Sequence, residues 1–205
     1  MTKPAIMSTG RLEAFSDGVL AVAITLLVLD LHADAQAPDG LASQLRHEWP
    51  SFAAYILSFF IIGVIWVNHH ALFGLADRVD RPVLYFNLLL LLWVSTIPFT
   101  TSTLASFLRS GGTDSRLAVL LYGLSMEGMA ISFTLILRRL ISAGLLRQPV
   151  ERSVGRAAVR RFGLGAVVYP AIVLVGLISA PAMLALYAGL TIFYIFEQTP
   201  VLPAP

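Results

Sequence analysis

RLEAFSDGVLAVAITLLVLDL, Arg11 to Leu31, has the length and apolar content of a membrane span, yet Glu13 and Asp17 stand near its start. About 20 consecutive apolar residues are needed to cross the hydrocarbon core of a bilayer. Five more runs of this character follow along the chain, so the spans expected are 12–31, 49–68, 83–100, 117–137, 162–179 and 181–197. Composition agrees: of 205 residues, 57% are hydrophobic and 13% charged, against about 45–50% and about 25% in a soluble domain. The fold class expected is an all-α integral membrane protein with six transmembrane helices. The loops are short, which makes residues 1–205 a single six-span transmembrane domain with no soluble unit for conventional catalysis or for reading nucleic acid. The chain has no cysteine, which removes disulfides, thiolate chemistry and Cys-based metal sites.

The placement of charge says more than the formal net of +2. With the N-terminus inside, the inner segments hold Lys3, Arg11, Arg78, Arg81, Arg138, Arg139, Arg147, Arg152, Arg156, Arg160 and Arg161. The outer loops hold Arg46, Arg109 and Arg116. This positive-inside asymmetry makes the chain a multi-pass protein of the cell membrane with both termini cytoplasmic. The seven arginines between spans four and five, from Arg138 to Arg161, read as an anchor on anionic headgroups rather than a nucleic-acid or partner site. Lys3, Arg11, the run VLAVAITLLVL and the small residues Ala33, Ala35 and Ala37 imitate a cleavable secretory signal. A signal core is normally free of charge, and here Glu13 and Asp17 precede it, so the first span is expected to be retained.

Helical geometry divides that span into faces. At 100° per residue, Val22, Leu26 and Leu29 lie within about 40° of one line, Thr25 borders it, and Asp17 is about 140° from Val22. Arg11 is about 120° around the helix from Asp17, too far for the two to pair. A carboxylate inside a span needs a partner, and the nearest supply is WVNHH at the end of span two: Trp66, Asn68, His69 and His70. Asp17 is therefore read as a residue that locks helices together rather than one that carries ions.

Arg11, Phe15, Ser16 and Asp17 match the R-x-x-x-F-S-D signature of the endolysosomal potassium-channel family, transmembrane protein 175. Six spans, VWVNHH closing span two and PFTTSTL after span three resemble its bacterial members over most of the chain. The resemblance implies a potassium-permeable channel, a homotetramer with the first helix of each subunit lining a central pore. Animal members carry two six-span repeats, whereas this sequence shows one signature and one set of spans, so four copies would be needed. The family's pore-facing positions, carried over from the signature aspartate, fall on Val22, Leu26 and Leu29, and its selectivity threonine falls on Thr25. Relatives often carry isoleucine or leucine where this chain has Val22, which widens that ring and shifts the main constriction to Leu26 or Leu29.

The implied mechanism is a hydrophobic one. No TVGYG-like stretch is present to form rings of backbone carbonyls. Apolar rings that dewet would instead demand partial dehydration of the ion, which favours potassium modestly over sodium, with Thr25 hydroxyls adding oxygen contacts. Beyond the permeant potassium ion no cofactor is expected; the partners expected are the lipid bilayer and further copies of the chain, not nucleic acid.

Plainer readings stand beside these. Val22, Leu26 and Leu29 at helical spacing also suit simple packing, and Thr25 suits a bond to its own helix. His69 and His70 diverge by 100° on a helix, which suits structural hydrogen bonding better than metal binding. Glu127, near the middle of span four in GLSMEGMAISF, is an ionisable group at membrane depth. Either Asn87 or Tyr122 satisfies it, or it carries protons in a small proton-coupled secondary transporter, the alternative function. An enzyme is not expected: no G-x-S-x-G elbow or H-E-x-x-H motif places the Ser, His and Asp residues for hydrolysis. The last two spans form a tight hairpin through Ser179, Ala180 and Pro181, with Gly163, Gly165, Ala166, Gly176 and Ala180 allowing close helix approach.

Overall fold

A computed structural model describes residues 9–32, 38, 40–108 and 112–196. Lys3, Arg109, the Ala33, Ala35 and Ala37 pattern, and Glu197 at the end of the last expected span lie outside the described residues. The described residues form helices joined by short turns: α1 (Thr9–Leu26) with a 3-10 turn (Leu27–Asp30), α2 (Leu41–His47), α3 (Trp49–Gly74), α4 (Arg81–Phe107), α5 (Gly112–Ser142), α6 (Arg152–Gly163), α7 (Gly165–Gly176) and α8 (Ala180–Phe196). Among the described residues, five helical stretches are long and apolar enough to cross a membrane: Thr9–Asp30, Trp49–Gly74, Arg81–Phe107, Gly112–Ser142 and Ser153–Gly176. The last apolar helix, α8, has 17 residues, about 25 Å of rise against a core of about 30 Å.

Local chemistry sets the helix ends. Asp80 caps α4, its Oδ1 accepting from the Val83 N–H at 3.1 Å, with Pro82 in the first turn where no N–H is needed. Gly144, at φ +61°, closes α5 and lets the Leu145 N–H reach the Leu140 carbonyl at 3.0 Å. The Ser179 Oγ accepts from the Ala182 N–H at 3.4 Å, starting α8 at the expected hairpin.

Three features differ from the sequence reading. The α-helical part of the first span stops at Leu26 and tightens to 3-10 over Leu27–Asp30. In a 3-10 turn residues three apart eclipse one another, so Leu29 sits over Leu26 instead of drifting around the helix. The fifth span begins earlier than residue 162, because helix extends back through α6 and carries Arg156 and Arg160 on it. Of the five small residues expected to permit close approach, Gly163 has only the Thr134 methyl near its Cβ direction, at 3.9 Å, whereas Gly176 faces Met183 and Val119 within 3 Å.

The central helix is α5, buried between α4 and α7. It approaches α4 closely at Gly128, where a Cβ would collide with the Trp93 indole, and α7 at Gly123, where it would collide with the Val173 side chain. Inside lie Leu20, Ile62, Val94, Met126 and Ile136, while large apolar side chains such as Phe99, Val167 and Leu174 face outward. Apolar surface both inside and out suits a chain solvated by lipid, and this is a multi-pass membrane protein.

The arginine-rich stretch is not wholly an anchor. Arg139 donates Nε and Nη2 to Asp80 Oδ2 at 3.0 and 2.7 Å, and Arg147 Nε donates to the Ala76 carbonyl at 3.1 Å. Backbone bonds from Asp77 N–H to Leu145 O and from Arg147 N–H to Leu75 O, both 2.9 Å, close the same clamp between the α3–α4 turn and the end of α5. Arg138, Arg156 and Arg160 are exposed, and the side chains of Arg152 and Arg161 lie outside the described set.

Candidate functional site

The first helix has two unlike faces. Leu12, Ser16, Leu20, Ala23 and Leu27 recur every three to four residues and are buried, with α3 and α4 packed against this helix. On the other side Val22 is 56% exposed, Leu26 42% and Leu29 64%, with Thr25 exposed beside them. An apolar stripe this long, on a helix whose opposite face is fully packed, has no partner within the chain's described residues. The Thr25 hydroxyl donates to the Val22 carbonyl at 2.9 Å.

Below the stripe the polar residues of α1 separate into a buried set and an exposed set. Ser16 is fully buried; its Oγ donates to the Leu12 carbonyl at 2.8 Å and accepts from Asn87 Nδ2 at 2.9 Å. Asn87 Oδ1 is 2.8 Å from His69 Nε2. A carbonyl oxygen only accepts, so His69 carries its proton on Nε2. The chain His69, Asn87, Ser16 and Leu12 carbonyl thus ties α3, α4 and α1 together with every bond pointing the same way. Hydrogen bonds in such a series polarise one another in a dry interior.

Asp17 lies outside that relay. It is exposed, and its Oδ1 accepts from Trp66 Nε1 at 3.0 Å. His70 Nδ1 is 3.7 Å from Glu13 Oε2. Asn68 Nδ2 turns back to the Val64 carbonyl at 2.9 Å. The four polar residues closing span two therefore serve different ends: Trp66 reaches Asp17, His69 reaches Asn87, His70 reaches Glu13, and Asn68 bonds back onto its own helix. Arg11 and Phe15 are exposed, and Arg11 makes no ion pair among the described residues.

Glu127 does not find the partners expected for it. Asn87 is taken by Ser16 and His69, and the Tyr122 hydroxyl bonds Ser58 at 3.1 Å, which in turn bonds Thr101 at 2.8 Å. Glu127 is half-buried, and its Oε2 is buried with no hydrogen-bond partner among the described residues. Asn87 is the side chain whose role the sequence misassigned. Its location in an apolar run signalled a buried polar contact, but nothing local named Ser16, 71 residues away.

The model of the endosomal/lysosomal potassium channel TMEM175 family matches residues 11–98, from Arg11 through α1 and α3 into α4. A potassium channel of Streptomyces collinus is 44% identical over 195 residues, covering 94% of this chain and 94% of that one. The bovine endosomal/lysosomal proton channel TMEM175 is 30% identical over 160 residues, covering 73% of this chain and 33% of that one. The crystal structure of a lysosomal potassium-selective channel TMEM175 homolog from Chamaesiphon minutus superimposes with a TM-score of 0.80 at 34% identity, covering 92% of this chain and 96% of that one. With the motif residues set at the base of α1, the relay behind them, and likeness over nearly the whole length of both bacterial relatives, the chain belongs to the TMEM175 family.

Proposed function

We propose that four copies of this chain form a potassium channel of the cell membrane, each contributing α1 to a central pore. The observation that carries this reading is the exposed stripe of Val22, Leu26 and Leu29 on a helix whose other face is packed against α3 and α4. A shallow groove beside it, lined by Ala14, Phe15, Gly18, Val22, Leu26 and Ser95, offers the flank of α1 to a neighbouring copy. The relatives named potassium channels supply the ion. In this assembly α8 is the sixth span, residues 1–205 act as one transmembrane domain, and both termini lie in the cytoplasm.

Conduction then depends on stripping water. Rings of Leu26 and of Leu29, eclipsed by the 3-10 turn, form a narrow apolar sleeve that resists wetting. Potassium holds its hydration shell less tightly than sodium and crosses such a sleeve at lower cost. Thr25, between the Val22 and Leu26 levels, supplies oxygen near the point where water is lost. Ser16, Asn87, His69 and the Asp17–Trp66 bond hold α1 against α3 and α4 while its other face stays open to the axis.

The unpartnered Glu127 Oε2 favours one second reading, transport linked to protons; the bovine relative is named a proton channel. A single experiment separates the two. Purified protein in a planar bilayer, with potassium on one side, sodium on the other and equal pH, is expected to give a current reversing on the potassium side, retained in Glu127→Gln. Flux that requires a pH gradient and is lost in Glu127→Gln would replace the potassium channel with the proton-linked reading.

A further inference from the structure

A second concavity lies away from the exposed stripe of α1. It has a volume of about 320 Å3 and is walled by α3, α5, α7 and α8, with Ala158 of α6 at one end; no described residue of α1 lines it. Three of its walls run side by side over equal lengths: Ile61 to Asn68 on α3, Met126 to Phe133 on α5 and Tyr187 to Tyr194 on α8. Each covers seven steps of helix, about 10 Å. The space is thus a slot parallel to the helices. Its lining is almost wholly aliphatic, aromatic or thioether, and a cavity of this kind stays dry when nothing fills it.

One end of the slot has a distinct charge. The C-terminal ends of α3 and α5 meet there, joined by the Ala76–Leu146 bridge, and α6 packs alongside α5. Arg138, Arg156 and Arg160 are exposed at that end, and the segment 138–164 contains one acid, Glu151. Helix α6 turns Gly155 and Ala158 inward while Arg156 and Arg160 face out. Asn68 stands at this end too, one amide hydrogen bonded to the Val64 carbonyl and the other available. An apolar slot about 10 Å deep beneath a cationic rim is complementary to a molecule with an alkyl chain and an anionic head. Long arginine side chains span the distance from the helix to a headgroup phosphate.

We propose that the slot is a binding site for an anionic phospholipid, one acyl chain lying between α3, α5 and α8 and the phosphate among the arginines of α6 and the end of α5. The assignment of this lipid to the cytoplasmic leaflet rests on the orientation given under Proposed function; the site itself does not. Basic pockets between membrane helices recognise lipid headgroups in this way. Because the slot is contacted by α3 and α5 but not by α1, a bound chain stiffens the scaffold that carries the first helix without entering the conduction path.

Native mass spectrometry of the full-length protein, offered equimolar phosphatidylglycerol and phosphatidylcholine, tests this without any current being measured. Phosphatidylglycerol is expected to be retained in preference, and the preference to fall about fivefold for each of Arg156→Gln and Arg160→Gln. Val64→Trp and Leu190→Trp, which fill the slot, are expected to abolish retention of both lipids. Thermal unfolding of the same samples guards against misfolding: wild type gains stability on adding phosphatidylglycerol, and a folded slot-filled variant does not. Equal retention of the two lipids by wild type, or undiminished retention by folded slot-filled variants, would overturn the proposal. So would a change in subunit number on filling the slot, which would make a second copy the occupant.

Discussion

Asn87 is one side chain serving two helices beyond its own. Its amide donates to Ser16 on α1 and accepts from His69 on α3, and all three are buried. Truncation to alanine strands the His69 N–H in a dry interior, which costs about 1–3 kcal/mol. We expect Asn87→Ala to lower the unfolding midpoint in detergent by several degrees, and Asp17→Asn, which keeps an oxygen for the Trp66 indole, to lower it far less. Equal effects from the two would show that the buried relay is not what fastens α1. The contrast also marks how far the sequence was legible at this scale. Asp17 in an apolar run requires a donor, and WVNHH held one at Trp66. The need of Asn87 was equally plain, yet its partners depend on the relative rotation of three helices, which no single run of residues encodes, and it was matched to Glu127 instead.

At the scale of elements, five of the six expected spans were readable because each is a continuous apolar run, and the clamp at the end of α5 was not. Charge counting treats arginines as interchangeable, but Arg139 is paired to the carboxylate that also caps α4, and Arg147 is bonded to a backbone carbonyl. Asp80 is mostly buried and Arg139 partly exposed, so their coupling is expected at about 1 kcal/mol in a double-mutant cycle of Asp80→Asn and Arg139→Gln. A coupling near zero would mean that the backbone bonds alone hold the clamp. The 3-10 turn was equally hidden: LVLD has no glycine or proline to announce it. So were the close approaches at Gly123 and Gly128, since a glycine within a helical run does not say which neighbour it admits.

For the whole molecule, the proposed tetramer would make the first helix the element to which function is most sensitive. In the proposed tetramer Leu26→Ala, present four times, would remove a ring of leucyl groups from the sleeve and leave Leu29 to bear the barrier alone. The expected outcome is a larger current whose reversal potential, with potassium and sodium on opposite sides, moves toward zero. An unchanged reversal potential would place the selective step elsewhere along α1.

The back-bonded hydroxyl of Thr25 has a consequence at this same scale. Its hydrogen is committed to the Val22 carbonyl of its own helix, so what the oxygen can present away from that helix is lone pairs. In the proposed tetramer, four such groups around the axis would resemble the inside of a crown ether: electron-rich, uncharged and unable to donate. Chloride, which needs hydrogen-bond donors to replace its water, finds none in such a collar. Cation-over-anion discrimination then needs no charged side chain in the pore.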